Sequence, residues 1–172
     1  MKFNYNFENL DKISFRFRNQ NSENFQEMLN FGFYFENLSK DNQILFKEAL
    51  PNKMYKKLLS FSGLLAEYAI YTKDEKYIKT GVVFHIIEDF RIDYRENIRY
   101  LILLNYSSNF LGINFNNLIL NNISLCSEKA ETQLRNFCVR DNSLNSLDKF
   151  NILFTLSENY PTFVHVANKK FP

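Results

Sequence analysis

The densest concentration of reactive side chains lies between residues 85 and 99, where one His, four carboxylates and three Arg fall within fifteen positions. Imidazole, carboxylate and guanidinium groups can bind metals, move protons or form ion pairs. The segment therefore holds the candidate polar cluster of the chain, structural or functional. It comprises six residues: His85, Glu88, Asp89, Arg91, Asp93 and Arg95.

A metal site is one interpretation of this cluster. His85 and Glu88 are three residues apart, so they share one face of a helix, and Asp89 lies next to them. Carboxylate di-metal bundles use such pairs in the reverse order, and several helices supply matching ligands. The only other histidine, His165, is far along the chain, and HIIED lacks the second His of a zinc motif. We therefore expect no bound metal, with a small enzyme or metal-binding protein using these three residues as the alternative.

A structural network is the other interpretation. Glu88 and Arg91 are three residues apart, as are Glu96 and Arg99, and a guanidinium matches a carboxylate bidentately. Asp89 lies at the C-terminal end of its helix, where the helix dipole disfavours a carboxylate, so an arginine is expected nearby. The pattern thus predicts a network that fixes a turn between two helices. If Arg91 and Asp93 are buried and paired, replacing either by Ala should destabilise the fold by about 2–4 kcal/mol.

The same stretch resembles a pattern in small uncharacterised bacterial all-helical proteins. Glu88-Asp89, then Arg91, then the run DYREN is followed by the Leu-rich LILLNYSSNFLGI. The resemblance covers about residues 45–140. It implies a helical domain and brings no activity or site residue with it.

Other catalytic and cofactor motifs are missing from the sequence. Four glycines provide no phosphate-binding loop, and there is no GxSxG motif. Cys126 and Cys138 are twelve residues apart without CxxC spacing, which is typical of small buried apolar residues in a reducing compartment. We therefore expect no cofactor and lean away from an enzyme.

Charge and hydropathy limit the partners. The net charge of +2 argues against a dedicated nucleic-acid binder. No apolar run is long enough for a membrane span, and the N-terminal residues lack the apolar core of a signal peptide. The aromatic content of 17% is explained by an AT-rich bacterial genome more simply than by an aromatic binding surface. These features predict a bacterial cytoplasmic protein without membrane contact.

Apolar periodicity predicts a mainly α-helical fold, either a compact multi-helix bundle or a short HEAT-like array. Ser39, Asp93 and Ser127 are expected N-caps, and Gly112 an expected stop. The segment EKYIKTGVVFHIIEDF is apolar almost all round and predicts a central helix. The expected helices cover about 25–37, 39–50, 52–73, 75–90, 94–111, 114–125 and 128–139.

The whole chain, 1–172, is expected to form a single domain. Residues 1–38 predict irregular or extended structure plus a short helix, 39–140 a helical core, and 141–172 a loop and a candidate β-hairpin. Within the N-terminal part, Phe15, Arg16, Phe17 and Arg18 form a candidate interface, although the same residues could simply cover the core.

A non-catalytic protein–protein interaction is the expected function. Its most concrete form is a bacterial toxin-immunity or antitoxin-like protein with a cognate toxin as partner. This expectation rests on the missing catalytic motifs and the small size, and therefore on association alone.

Overall fold

The computed structural model describes residues 23–140, which form seven α-helices and one 3-10 turn without any strand. The mainly helical fold is therefore confirmed for this part of the chain. The predicted hairpin and the Phe15–Arg18 interface lie outside the described residues. The helices are α1 Glu23–Glu36, α2 Lys40–Ala49, α3 Asn52–Thr72, α4 Lys76–Glu88, α5 Tyr94–Phe110, α6 Phe115–Asn122 and α7 Glu128–Arg140, with the 3-10 turn at Ile123–Leu125.

Helix boundaries follow the capping residues of the sequence. The side chains of Ser39, Asp93 and Ser127 each accept a hydrogen bond from a backbone amide two or three residues further along, at 3.2, 3.0 and 3.2 Å respectively. These bonds satisfy amides that lack a partner within the first helical turn. Gly112 has a φ of 74° just after α5 and ends that helix. All four predicted boundary residues are confirmed.

Three helices form the centre of the bundle. Every residue from 80 to 90 is buried, so α4 is central, as its nearly continuous apolar surface predicts. Helices α3 and α5 pack against α4 and run parallel to each other. Ser107 of α5 donates a hydrogen bond of 3.0 Å to the carbonyl of Ala66 in α3. Because α4 runs opposite to both, its C-terminal end lies beside the N-terminal ends of α3 and α5.

Two glycines allow close helix packing around α4. A Cβ at Gly81 would lie 2.7 Å from a methyl carbon of Leu104 in α5, and one at Gly32 would lie 2.9 Å from the methyl carbon of Thr80. Gly32 lowers the intrinsic stability of α1. The helix is nevertheless continuous because this glycine lets α1 approach α4.

Aromatic rings fill the space between α1, α2, α3 and α4. Phe31 lies 5.4 Å from Phe46 and 5.8 Å from Phe84, and Phe84 lies 5.9 Å from Phe61, measured between ring centroids. All four side chains are fully buried. A large part of the Phe content thus forms the core, where ring pairs add about 0.5–1.5 kcal/mol each beyond area burial.

The amphipathic pattern of α3 places Lys56, Ser60, Gly63 and Glu67 on one face, opposite its apolar residues, but only part of that face reaches solvent. Lys56 is exposed and Ser60 is half-buried, whereas Gly63 and Glu67 are buried. Helices on more than one side cover α3, so a single amphipathic pattern underestimates its burial. None of the described helices combines the length and apolar character needed to cross a bilayer.

Candidate functional site

Burial divides the predicted polar cluster into two halves. The first half lies on α4 and its C-terminal end, inside the bundle. The second half lies on the connection to α5 and at the start of that helix, at the surface. The buried residues are His85, Glu88 and Asp89, and the exposed residues are Arg91, Asp93 and Arg95.

A chain of hydrogen bonds crosses the three central helices. Ser62 Oγ lies 3.0 Å from His85 Nε2, and His85 Nδ1 lies 2.9 Å from Asn97 Oδ1. Asn97 Nδ2 then donates to Glu88 Oε1 at 2.7 Å. We call Ser62, His85, Asn97 and Glu88 the buried network. It joins α3, α4 and α5 through polar side chains in an otherwise apolar interior.

The network determines the protonation of His85. Because Asn97 donates its amide hydrogen to the Glu88 carboxylate, its carbonyl oxygen faces His85 Nδ1, which must therefore carry a proton. Burial lowers the pKa of His85 to about 4, although the bond to Asn97 favours the charged form. His85 is thus neutral near pH 7, with the Nε2 lone pair facing the Ser62 hydroxyl.

Glu88 holds the backbone of the turn that follows α4. Its Oε1 accepts the amide of Phe90 at 2.9 Å, and its Oε2 accepts the amide of Ile92 at 3.0 Å. Asp89 and Phe90 have φ values of 63° and 57°, which cost side-chain-bearing residues roughly 1–2 kcal/mol each. Burial raises the pKa of Glu88, while these amides and Asn97 favour its ionised form. The Glu88 carboxylate therefore stabilises a turn in which Asp89 and Phe90 adopt an unfavourable backbone conformation.

Asp89 links the same turn to α2 and α7. Its Oδ1 lies 3.6 Å from Lys47 Nζ and accepts the backbone amide of Ser127 at 3.0 Å. Lys47 also donates to the carbonyl of Leu125 at 3.0 Å, and burial lowers its pKa despite the attraction of Asp89. The sequence predicted an arginine beside Asp89, but the cation is Lys47. This ion pair lines a cleft of about 310 Å³ between α2, the turn and the start of α7.

The exposed half makes different contacts from those predicted. The Arg91 guanidinium hydrogen-bonds the Tyr55 hydroxyl and lies 5.3 Å from the centre of that ring, whereas Glu88 bonds Asn97 and backbone amides. The predicted Glu88–Arg91 pair is thus wrong. The predicted pair between Glu96 and Arg99 is confirmed at 2.9 Å. A loss of about 2–4 kcal/mol in stability was predicted for Arg91→Ala and Asp93→Ala only if these residues are buried and paired. Both residues are exposed, so this large loss is not expected.

We call the connection from Arg91 to Arg95 the turn surface. It carries two large apolar side chains that are exposed to solvent. Ile92 is 41% exposed and Tyr94 is 47% exposed. Arg91 lines the cleft on one side of this segment, and Ile92 lines a groove of about 240 Å³ on the other. The turn surface is therefore a ridge between two concave regions.

The geometry of the buried network favours positioning over catalysis. Ser62, His85 and Asn97 are spaced like a nucleophile, a base and its orienting group. However, Ser62 is fully buried, and its hydroxyl lies 2.7 Å from the carbonyl of Leu59, so no substrate can approach it. Within residues 23–140, no group of three or more His, Cys, Asp or Glu side chains could hold a metal ion.

The half-buried Cys126 beside the cleft is also a poor nucleophile. Burial raises its pKa to about 11, and its thiol donates to the carbonyl of Ile123 at 2.7 Å. The reactive form of cysteine is the thiolate, which is scarce at neutral pH with such a pKa. The cleft therefore offers no activated thiol.

The partners that complete the site were missed by the sequence analysis. Ser62 and Asn97 interrupt apolar stripes of α3 and α5, and a polar residue in such a stripe is a detectable signal of a buried hydrogen bond. Lys47 and Tyr55 give no comparable signal, because only the fold brings them to the turn. Comparison with family models, curated proteins and solved structures finds no match.

Proposed function

We propose that this protein acts by binding another protein and performs no catalysis. The most concrete form is a bacterial toxin-immunity or antitoxin-like protein in the cytoplasm, with a cognate toxin as partner. The observation that carries the proposal is the turn surface, an exposed segment whose backbone is held from inside by the Glu88 carboxylate.

The composition of the turn surface supports a protein interface. Tyr and Arg are enriched among residues that dominate binding energy, and Tyr94, Arg91 and Arg95 all lie on this segment. Ile92 adds exposed apolar area, and the concave regions on both sides can receive side chains of a partner. Single exposed apolar residues are ordinary, whereas clustered ones are a feature of interaction sites, and Ile92 and Tyr94 lie two residues apart.

Preorganisation supports the same proposal. Binding is weakened when a loop must be ordered on association. Here the Glu88 carboxylate already fixes the amides of Phe90 and Ile92, and the connection enters α5 at the Asp93 cap. The residues proposed to contact the partner would therefore lose little conformational freedom on binding.

The product of the neighbouring gene is the first partner to test. We expect the purified wild-type protein to bind it and, when co-expressed, to neutralise any toxicity. Ile92→Asp should weaken binding at least tenfold. Leu120→Asp is the matched control, because Leu120 is 40% exposed but lies on α6. Calorimetry measures the affinities, and melting curves verify that both variants fold.

Equal binding by the two variants would contradict a role for the turn surface. Absence of any binding or neutralisation would contradict the toxin-partner form of the proposal.

A further inference from the structure

The cleft that Arg91 lines is bounded by α2, by the turn after α4 and by the start of α7. Its volume of about 310 Å³ is large enough for one side chain of another molecule. Three cations line this cleft, and they outnumber its carboxylates. The cations are Lys40, Lys47 and Arg91, and the carboxylates are Glu48 and Asp89. The charged side chains of the lining therefore favour an anion.

Lys47 is the buried cation of the cleft, with only 6% of its surface exposed. A lysine ammonium group has three N–H donors. Among the described residues, Lys47 Nζ makes one hydrogen bond, at 3.0 Å to the carbonyl of Leu125. Its distance of 3.6 Å to Asp89 Oδ1 is longer than a hydrogen bond. Lys47 therefore keeps donors for a further acceptor in the cleft.

Asp89 compensates the charge of Lys47 only in part. The Oδ1 atom of Asp89 also accepts the backbone amide of Ser127. Burial lowers the pKa of Lys47 more than the attraction of Asp89 raises it, and repulsion by the Arg91 guanidinium lowers it further. An additional anion in the cleft would therefore stabilise the charged forms of both cations.

Lys40 and Arg91 carry the exposed positive charge of the cleft. Within the described part of the chain, neither residue forms an ion pair. Arg91 uses a single nitrogen, Nη1, for its bonds to the Tyr55 hydroxyl and the Lys47 carbonyl. Its other two nitrogens keep their hydrogens for an acceptor that enters from solvent.

We infer that this cleft receives a Glu or Asp side chain of the partner protein. Lys47 and Arg91 bind its carboxylate, with Lys40 as a third cation. Ile44 and Leu125 line the same cleft and contact its methylene groups. Hydrogen bonds between such cations and a carboxylate are about twice as strong as neutral ones. This inference rests on the proposed function and specifies which group of the partner is recognised.

Random peptides displayed on phage provide a probe that needs no known partner. Selection on the wild-type protein should enrich Asp or Glu at one position. Lys40→Glu and Arg91→Glu should each weaken binding of a synthesised selected peptide by about tenfold. Lys79→Glu is the matched control, because Lys79 is an exposed lysine near the start of α4, whereas the cleft lies beyond the end of that helix. This control should bind the peptide like wild type.

A second peptide, in which the enriched acidic residue is replaced by the corresponding amide, tests whether the carboxylate lies in the cleft. Wild type should bind this amide peptide about tenfold more weakly than the acidic one, whereas Arg91→Gln should bind the two peptides almost equally. Fluorescence anisotropy measures these affinities, and melting curves show whether the variants fold.

The inference is overturned if selection enriches no peptide, or enriches peptides without acidic residues. It is also overturned if Arg91→Gln discriminates between the acidic and the amide peptide as strongly as wild type does. Inorganic phosphate that binds wild type more tightly than the acidic peptide does would overturn it in favour of a free anion. None of these measurements uses the neighbouring gene product or Ile92→Asp, so failure of the inference is distinguishable from failure of the proposed function.

Discussion

The two halves of the segment between His85 and Arg99 both carry carboxylates, but these carboxylates lie in opposite environments. On the α4 side, Glu88 is fully buried and is bound by Asn97 and two backbone amides. On the α5 side, Glu96 is half-buried and is bound by Arg99, which lies three residues further along. The fully buried carboxylate organises a turn, whereas the half-buried one forms an ion pair at the surface that contributes about 0–1 kcal/mol.

The buried carboxylate of Glu88 is held by neutral donors, whereas that of Asp89 is also paired with Lys47. An ion pair must compensate for the removal of two charges from water. Glu88 instead uses donors that the fold already places inside, the Asn97 amide and the amides of Phe90 and Ile92. The arginines of the segment remain at the surface, where Arg91 contacts Tyr55 and Arg99 pairs with Glu96.

Removing the centre of the buried network should have the largest effect on stability. Asn97→Ala leaves the buried His85 Nδ1 hydrogen without a partner and removes one of the two hydrogen bonds that Glu88 Oε1 accepts. We therefore expect a loss of about 3 kcal/mol in the free energy of unfolding. Asn105→Ala is the matched control on the same helix and should change stability by less than about 0.5 kcal/mol. Urea unfolding measures both values. Similar losses for the two variants would mean that Asn97 contributes no more to stability through the buried network than Asn105 does outside it.

The pH dependence of stability tests the buried half of the segment separately, because His85 and Glu88 have shifted pKa values. The pKa of His85 is lowered from 6.5 to about 4 in the folded state, so the unfolded chain binds a proton that the folded protein does not. The free energy of unfolding should therefore fall as the pH falls from about 6.5 toward 4, by up to about 3 kcal/mol. Glu88 acts in the opposite direction, because its pKa is raised and its folded form binds a proton more readily.

His85→Gln isolates the histidine contribution. The stability difference between pH 7 and pH 5.5 should be smaller in this variant than in wild type, as measured by urea unfolding at each pH. His165 is present in both proteins and cancels in the comparison. An unchanged pH dependence would show that His85 takes up its proton equally well in the folded and unfolded chain.

The exposed half should respond weakly to substitution. Asp93→Ala removes the cap of α5 and should cost about 1 kcal/mol, whereas Asp93→Ser keeps a capping oxygen and should be close to wild type. Arg91→Ala loses a part-buried contact with Tyr55 and should also cost about 1 kcal/mol or less. Thermal melts rank these variants against Asn97→Ala. A loss from Asp93→Ala or Arg91→Ala as large as that from Asn97→Ala would remove the distinction between the two halves.

The fold was more accessible from the sequence than the site. Apolar spacing and caps such as Ser39 and Asp93 are local signals, and they predicted most helix ends to within one or two residues. The apolar pattern of a single helix also indicates how much of that helix is buried. The central position of α4 was predicted from this pattern. The contacts of the site are not local. The bonds from His85 to Ser62 and from Asp89 to Lys47 join residues 23 and 42 positions apart, so only the packed bundle defines them.

Residue spacing gave a wrong prediction where backbone amides compete with a side chain for the same carboxylate. Glu88 and Arg91 have the spacing of a helical ion pair, but the helix ends at Glu88, and Asp89 and Phe90 turn the chain away. The carboxylate then binds the amides of that turn. A pairing rule that assumes a continuous helix fails at such a boundary.

Hydrogen exchange of individual amides tests most directly whether the buried network holds the turn surface. The amides of Phe90 and Ile92 have the Glu88 carboxylate as their acceptor. In the wild-type protein, NMR should show both amides exchanging much more slowly than in an unstructured peptide. In Glu88→Ala, both should exchange at least tenfold faster, while amides in the middle of α3 remain protected. Exchange of the Phe90 and Ile92 amides at unprotected rates in wild type, or equal protection in Glu88→Ala, would contradict the account.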